Sequence, residues 1–168
     1  MRYLITLFLL VLHIAAGGAQ QSATDIHGTW TAEIHTGKVY LQVRTAPPPD
    51  WNRDRSWNGD WNMGQSIPVD ELSGLANSDT FTLASAKFDL RREAGTLAFE
   101  GSFRDGRGAG LFTFAPNTAY AGEMRSLGYP DEIPAWRAFQ LALHDVGPRD
   151  IRDLQGAGDA QLPPDQVQ

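Results

Sequence analysis

Through the first two thirds of the chain, apolar and polar residues alternate with a period of two. In Gly28 to His35, residues Trp30, Ala32 and Ile34 fall on one face of an extended segment. Thr36-Gly37 then turns the chain into Lys38 to Arg44, where Val39, Leu41 and Val43 alternate with Tyr40 and Gln42. Two alternating runs joined across a glycine turn predict a hairpin with one buried face. Residues 93–117 carry the pattern most strongly. Leu97, Phe99, Gly101 and Phe103 line one face of the outgoing arm, and Gly110, Phe112 and Phe114 line one face of the return. Between the arms, Asp105-Gly106 is a strong hairpin turn signal, because tight hairpin turns demand positive φ. Asp105, Gly106 and Gly108 are therefore read as structural turn residues, and Gly101, Gly108 and Gly110 predict a bulge or sharp coil. DGRGAG lacks the flanking helix of a phosphate loop and the carboxylates of a calcium loop.

Trp61 to Ile67, Thr80 to Leu83 and Lys87 to Arg92 supply further short strands, with Pro68 to Leu75 as a tight turn or one helical turn. Roughly seven strands in about ninety residues predict a small antiparallel β-barrel or sandwich over 28–115. Residues 45–60 break the pattern with three consecutive prolines and a polar run, and predict a long exposed loop. After Phe114 the period lengthens. Pro116-Asn117-Thr118 starts a helix carrying Tyr120, Met124 and Leu127, Pro134 opens a second through Trp136, Phe139 and Leu143, and Pro148 opens a third through Ile151 and Leu154. Met124-Arg-Ser-Leu127 and Ile151-Arg-Asp-Leu154 recur at a fixed offset, so 116–158 is read as a short-helix repeat region and 159–168 as a loose tail. The expected fold is mainly β with an α-helical tail of about three short helices.

The first nineteen residues stand outside this scheme. Arg2, an apolar run from Leu4 to Ala16 and the small residues Gly17-Gly18-Ala19 form a signal-peptide pattern. Cleavage after Ala19 leaves 20–27 as a disordered lead-in and implies export to the periplasm or beyond the cell. The formal net charge of −6 argues against nucleic acid and against docking on anionic membranes. With no cysteine, disulfides, thiol nucleophiles and cysteine-ligated metals are excluded.

Candidate chemistry is sparse. Trp51-Asn52, Trp57-Asn58 and Trp61-Asn62 repeat a flat aromatic beside a donor–acceptor amide, with Arg53 and Arg55 between them. Such a set can stack on a sugar ring or a peptide while bonding its polar edge, and the alternative is that Trp61 and Trp57 plug the barrel mouth. His27 and His35 share a strand face roughly 26 Å apart and do not share a metal. No GxSxG elbow is present, and no nucleophile, base and orienting group assemble from the pattern. No catalytic residue, metal ligand or cofactor is therefore expected.

Trp61 to Leu75 (WNMGQSIPVDELSGL) and Phe88 to Tyr129, followed by HDVGPRDIRDLQGAG, resemble a secreted bacterial β-domain with short helical repeats. The domain is similar to the extracytoplasmic tail of some membrane metallopeptidases of the β-lactam-sensing antirepressor type. The resemblance covers about residues 28–158 and implies architecture, not activity, because the HExxH zinc helix of those peptidases is missing. The expected function is an exported non-catalytic binding or interaction module of the bacterial envelope, of a sensor-like accessory kind, whose partner is an envelope protein, peptide or glycan. A lipocalin-like carrier of a small ligand is the alternative, and a hydrolase the third.

Overall fold

The computed structural model describes residues 26–46, 60–76, 81–129 and 132–156. The expected signal segment and Trp51, Asn52, Arg53, Arg55, Trp57 and Asn58 lie outside the described residues, as does the expected tail 159–168. The strands are β1 (Ile26–His35), β2 (Lys38–Thr45), β3 (Trp61–Pro68), β4 (Leu72–Ser73), β5 (Leu83–Arg92), β6 (Gly95–Arg104) and β7 (Arg107–Pro116), with a 3₁₀ turn at Val69–Glu71. Three helices follow: α1 (Thr118–Ser126), α2 (Ala135–Leu143) and α3 (Pro148–Gly156). The protein is thus mainly antiparallel β with a tail of three short helices.

All seven strands belong to one sheet in the order β3-β2-β1-β7-β6-β5-β4. One continuous segment, Trp61–Ser73, supplies both edges, which forces the sheet to curl towards a barrel. This single curled sheet decides between the two expected architectures in favour of the barrel-like one. β1 starts at Ile26, which pairs with Phe114, so the first strand begins two residues before the alternation suggests.

Two of the three tight hairpin turns among the described residues, β1–β2 and β6–β7, share a geometry that explains their sequences. Thr36 and Gly37 have φ of 51° and 75°, and Asp105 and Gly106 have φ of 50° and 74°. Two consecutive positive φ values across a two-residue loop match the right-handed twist of the flanking strands. Gly106 is also tied to its surroundings, donating to the Phe81 carbonyl at 2.9 Å and accepting from Ile34 N at 2.8 Å. The turn is therefore Asp105-Gly106 alone. Gly108 sits inside β7 opposite Phe103, where any Cβ would come within 2.5 Å of the Phe103 ring. The expected bulge in this hairpin is absent, since its register runs unbroken from Gly95↔Pro116 to Arg104↔Arg107. The irregularity lies one strand away, between Leu83 and Ala86 of β5, which runs unbroken over Leu83–Arg92; of the strand expected at 80–83, Phe81 and Thr82 lie outside β5 and residue 80 outside the described residues.

Gly101 and Gly110 face each other and serve Trp30 instead of a bulge. A Cβ on Gly101 would run into the Ala109 carbonyl and lie 2.7 Å from Trp30 Cζ2. Without one, the indole settles over the glycines and donates Nε1–H to the carbonyls of Leu111 at 3.0 Å and Glu100 at 3.2 Å. Trp30 then packs against Phe88 and Phe103, with ring centroids 5.3 and 5.4 Å away. Phe88 stacks on Phe99 at 4.8 Å. Aromatic side chains thus fill the inside of the sheet.

The helices cover what the curl leaves open. Asn117 caps α1 by accepting from Ala119 N at 3.1 Å, and Gly128 ends it at φ 92° with Tyr129 N bonded to the Met124 carbonyl. The end of α2 repeats that arrangement with Asp145 at φ 56° and Val146 N bonded to the Leu141 carbonyl. α2 packs on β1, β6 and β7, placing Phe139 over the sheet. Its ring stacks on Phe112 at 5.7 Å and touches Phe114 and Trp61. α1 packs on α3, and the two members of the helical repeat do unequal work. Met124 and Ile151 are both buried, whereas Leu154 remains exposed.

Candidate functional site

The outward face of β1, β2 and β3 carries a shallow groove with two contiguous lobes. The register brings Asn62, Arg44 and Thr29 side by side, then Gly64, Gln42 and Thr31, then Ser66, Tyr40 and Glu33. One lobe, about 390 Å³, is lined by Thr29, Thr31, Gln42, Arg44 and Asn62, alternating with Trp30, Val43 and Met63. The second, about 420 Å³, is lined by Thr31, Glu33, Tyr40, Gln42 and Arg107 together with Ala32 and Gly108. Thr31 and Gln42 border both lobes, with the Thr31 hydroxyl 3.5 Å from the Gln42 side-chain oxygen. The depression exists because small side chains cross its middle, Gly64 and Thr31 on either side of Gln42 and Ala109 beyond on β7.

Tyr40 is the aromatic element of this surface. Its phenol end lies across Gly64, with Oη 2.7 Å from where a Cβ on that residue would stand, and the side chain is 48% exposed. Glycine on the neighbouring strand thus lets the ring lie along the sheet. The charged rim is internally paired. Arg107 Nε lies 3.3 Å from Glu33 Oε1, and Arg44 Nε lies 3.8 Å from Asp60 Oδ2. Such exposed pairs contribute little stability, yet they lower the free charge presented to a ligand. What remains is an array of hydroxyls and amides, each able to donate and accept.

A second polar cluster lies at the junction of the β5–β6 turn with the helices. The Arg92 side chain, only 12% exposed, reaches Glu71 at 2.6 Å and Asp145 at 3.1 Å, joining the 3₁₀ turn to the α2–α3 connection. Glu93 packs against Gly147, whose N–H is accepted by Asp150 at 2.8 Å. Tyr120 is buried among them and donates its hydroxyl to the Val146 carbonyl at 2.9 Å. Burial pushes this phenol far above its ordinary value, the Glu93 and Asp150 charges push the same way, and Arg137 opposes them. Burial also raises Tyr129. A phenol held protonated and committed to a backbone carbonyl anchors α1 to the α2–α3 connection and has no proton to exchange at neutral pH.

No family model, curated protein or solved structure matches the chain. The geometry alone therefore speaks for the site. Of the Trp-Asn pairs, Trp61-Asn62 falls within the described residues, and the period of the strand splits it. Trp61 turns inward, 5.5 Å from Trp136 and 5.6 Å from Phe139, as a plug between β3 and α2. Asn62 turns outward into the groove. Glu100 pairs with Lys87 at 2.7 Å on the solvated face. Among the described residues, no three His, Asp or Glu are placed to hold a metal ion, and no helix is long and apolar enough to cross a membrane.

Sequence reasoning missed Thr29, Thr31, Tyr40, Gln42 and Arg44 as a group, since each reads singly as the polar side of an amphipathic strand. One signal was present. Tyr40 is a large aromatic in the outward register of β2, with both neighbours in that register, Lys38 and Gln42, polar.

Proposed function

We propose that the protein is an exported, non-catalytic binding module of the bacterial envelope, sensor-like in character, and that the β1–β3 groove is its ligand-facing surface. The observation that carries this reading is the half-exposed Tyr40 lying across Gly64 beside two contiguous lobes of mixed polar and apolar lining. An aromatic of that size left in water, next to clustered donors and acceptors, is the composition of a recognition surface. The signal-peptide pattern of residues 1–19 supports an envelope location. The likeness of 61–75 and 88–129 to the extracytoplasmic tail of antirepressor-type metallopeptidases supports an accessory role.

The interior favours this reading over a lipocalin-like carrier. A carrier needs an open apolar cavity inside the barrel. Here Trp30, Phe88, Phe99, Phe112 and Phe139 form a chain of rings in contact through the centre.

Thr31→Arg tests the assignment, because Thr31 is exposed, borders both lobes and leaves the core untouched when enlarged. The wild-type protein is expected to co-sediment with isolated bacterial envelopes, and the variant to remain in the supernatant with an unchanged melting temperature. Equal co-sedimentation of the two proteins refutes the groove as the binding surface.

A further inference from the structure

We infer that the groove takes an extended, uncharged oligosaccharide, an inference that rests on the binding-module reading above. The lining gives the chemistry. Gln42 and Asn62 present amides and Thr29 and Thr31 present hydroxyls, so each group both donates and accepts, as ring hydroxyls and acetamido groups do. Tyr40 adds a flat apolar surface on which the non-polar face of a sugar ring can lie. The two arginines at the rim are already paired with Glu33 and Asp60, which disfavours a polyanion. A peptide is disfavoured for a different reason. Peptides commonly add as strands to free sheet edges, whereas the groove centres on β1 and β2, whose backbone groups are taken up by their ladders on both sides, and only its flanking strand β3 lies at a sheet edge.

The dimensions call for a chain of sugars. Thr29 to Glu33 spans ~13 Å along β1, and the two lobes lie in sequence along that line. Tyr40 stands at one end and Asn62 at the other. A single ring would meet either the aromatic or the Asn62 amide. An oligomer meets both.

The test is isothermal titration of the full chain, expressed with its own N-terminal segment and purified from a bacterial periplasm. Chitotetraose and cellotetraose are the neutral probes, a galacturonate tetramer is the anionic comparator, and a peptide array is run beside them. Binding of either neutral tetramer, unchanged between low and high salt, supports the inference. Preference for chitotetraose assigns an acetamido polymer, and equal binding assigns hydroxyl recognition alone. Tyr40→Ala is expected to weaken binding about tenfold, and Tyr40→Phe, which keeps the ring, less than about twofold. Gln42→Ala is expected to cost about threefold through the lost amide. Glu123→Gln, on the exposed side of α1, serves as the unaffected control. Salt-sensitive binding of the anionic tetramer alone, or Tyr40-dependent peptide binding without sugar binding, overturns the glycan assignment and leaves the binding-module reading intact. If no probe binds while co-sedimentation with envelopes remains sensitive to Thr31→Arg, the glycan assignment alone falls. If that sensitivity is also missing, both fall.

Discussion

Phe139→Ala probes the contact on which the union of helices and sheet depends. The side chain is fully buried, with ring centroids 5.7 Å from Phe112, 5.5 Å from Phe114, 5.6 Å from Trp61 and 5.4 Å from Trp136. Four rings from β3, β7 and α2 converge on it, and their rigid neighbours leave little scope for collapse into the space. Truncation at such a site costs ~3–5 kcal/mol through lost burial and the cavity left behind. A domain of this size has a total stability of ~5–15 kcal/mol, so the variant folds but loses a large share of its margin. With a urea dependence of ~1–3 kcal/mol per molar, the unfolding midpoint should fall by about 2 M. Urea titrations followed by far-ultraviolet circular dichroism and by tryptophan fluorescence measure this shift. The two probes should stay coincident if helices and sheet unfold as one unit. Leu111→Ala, at a residue 65% exposed on the outer face, should move stability by less than about 0.5 kcal/mol. A loss below about 1 kcal/mol for Phe139→Ala, against the cavity magnitudes expected of a closed core, would refute the docking of α2 as the element that completes it.

Three further outcomes follow from local geometry. Thr36 is a β-branched residue held at φ 51° in the β1–β2 turn, so Thr36→Asn should raise stability by ~0.5–1 kcal/mol in the same urea assay. Gly101→Ala should lower it by ~1–3 kcal/mol, because the added Cβ meets the Ala109 carbonyl and the Trp30 ring; the emission of the displaced indole should redden. Tyr120 has a raised folded pKa, so its contribution is fully present below the unfolded value near 10 and is lost as pH climbs above it. Tyr120→Phe should therefore flatten the alkaline limb of stability against pH. At neutral pH it should cost ~1 kcal/mol for the bond to the Val146 carbonyl. An unchanged alkaline limb in pH-dependent urea melts would contradict the burial of that phenol.

Much of the fold is legible from residues taken a few at a time. The inward positions Trp30, Ala32, Ile34, Leu97, Phe99, Phe103, Phe112 and Phe114 are all buried, as their alternation requires. Asp105-Gly106 is a turn because its two positive φ values suit those residues, and Asn117 and Gly128 bracket α1 as a cap and a left-handed stop. Gly108 misled because a strand glycine that yields space to Phe103 looks, in sequence, like one that bends the chain. The groove was illegible for a related reason. Asn62, Arg44 and Thr29 are far apart along the chain and become neighbours only through two strand registers.

Local patterning determined the strands, turns, helix caps and inward faces of this protein, because each depends on steric and hydrogen-bonding preferences reaching only a few residues. Tertiary structure decided which strands lie side by side, how one segment comes to form both edges of the sheet, and which way the two halves of Trp61-Asn62 point. It also set Tyr40 across Gly64, turning polar residues that look like ordinary solvent contacts into one lined surface. These outcomes depend on cross-strand register and sheet curvature, which are set by how the whole set of inward aromatics packs.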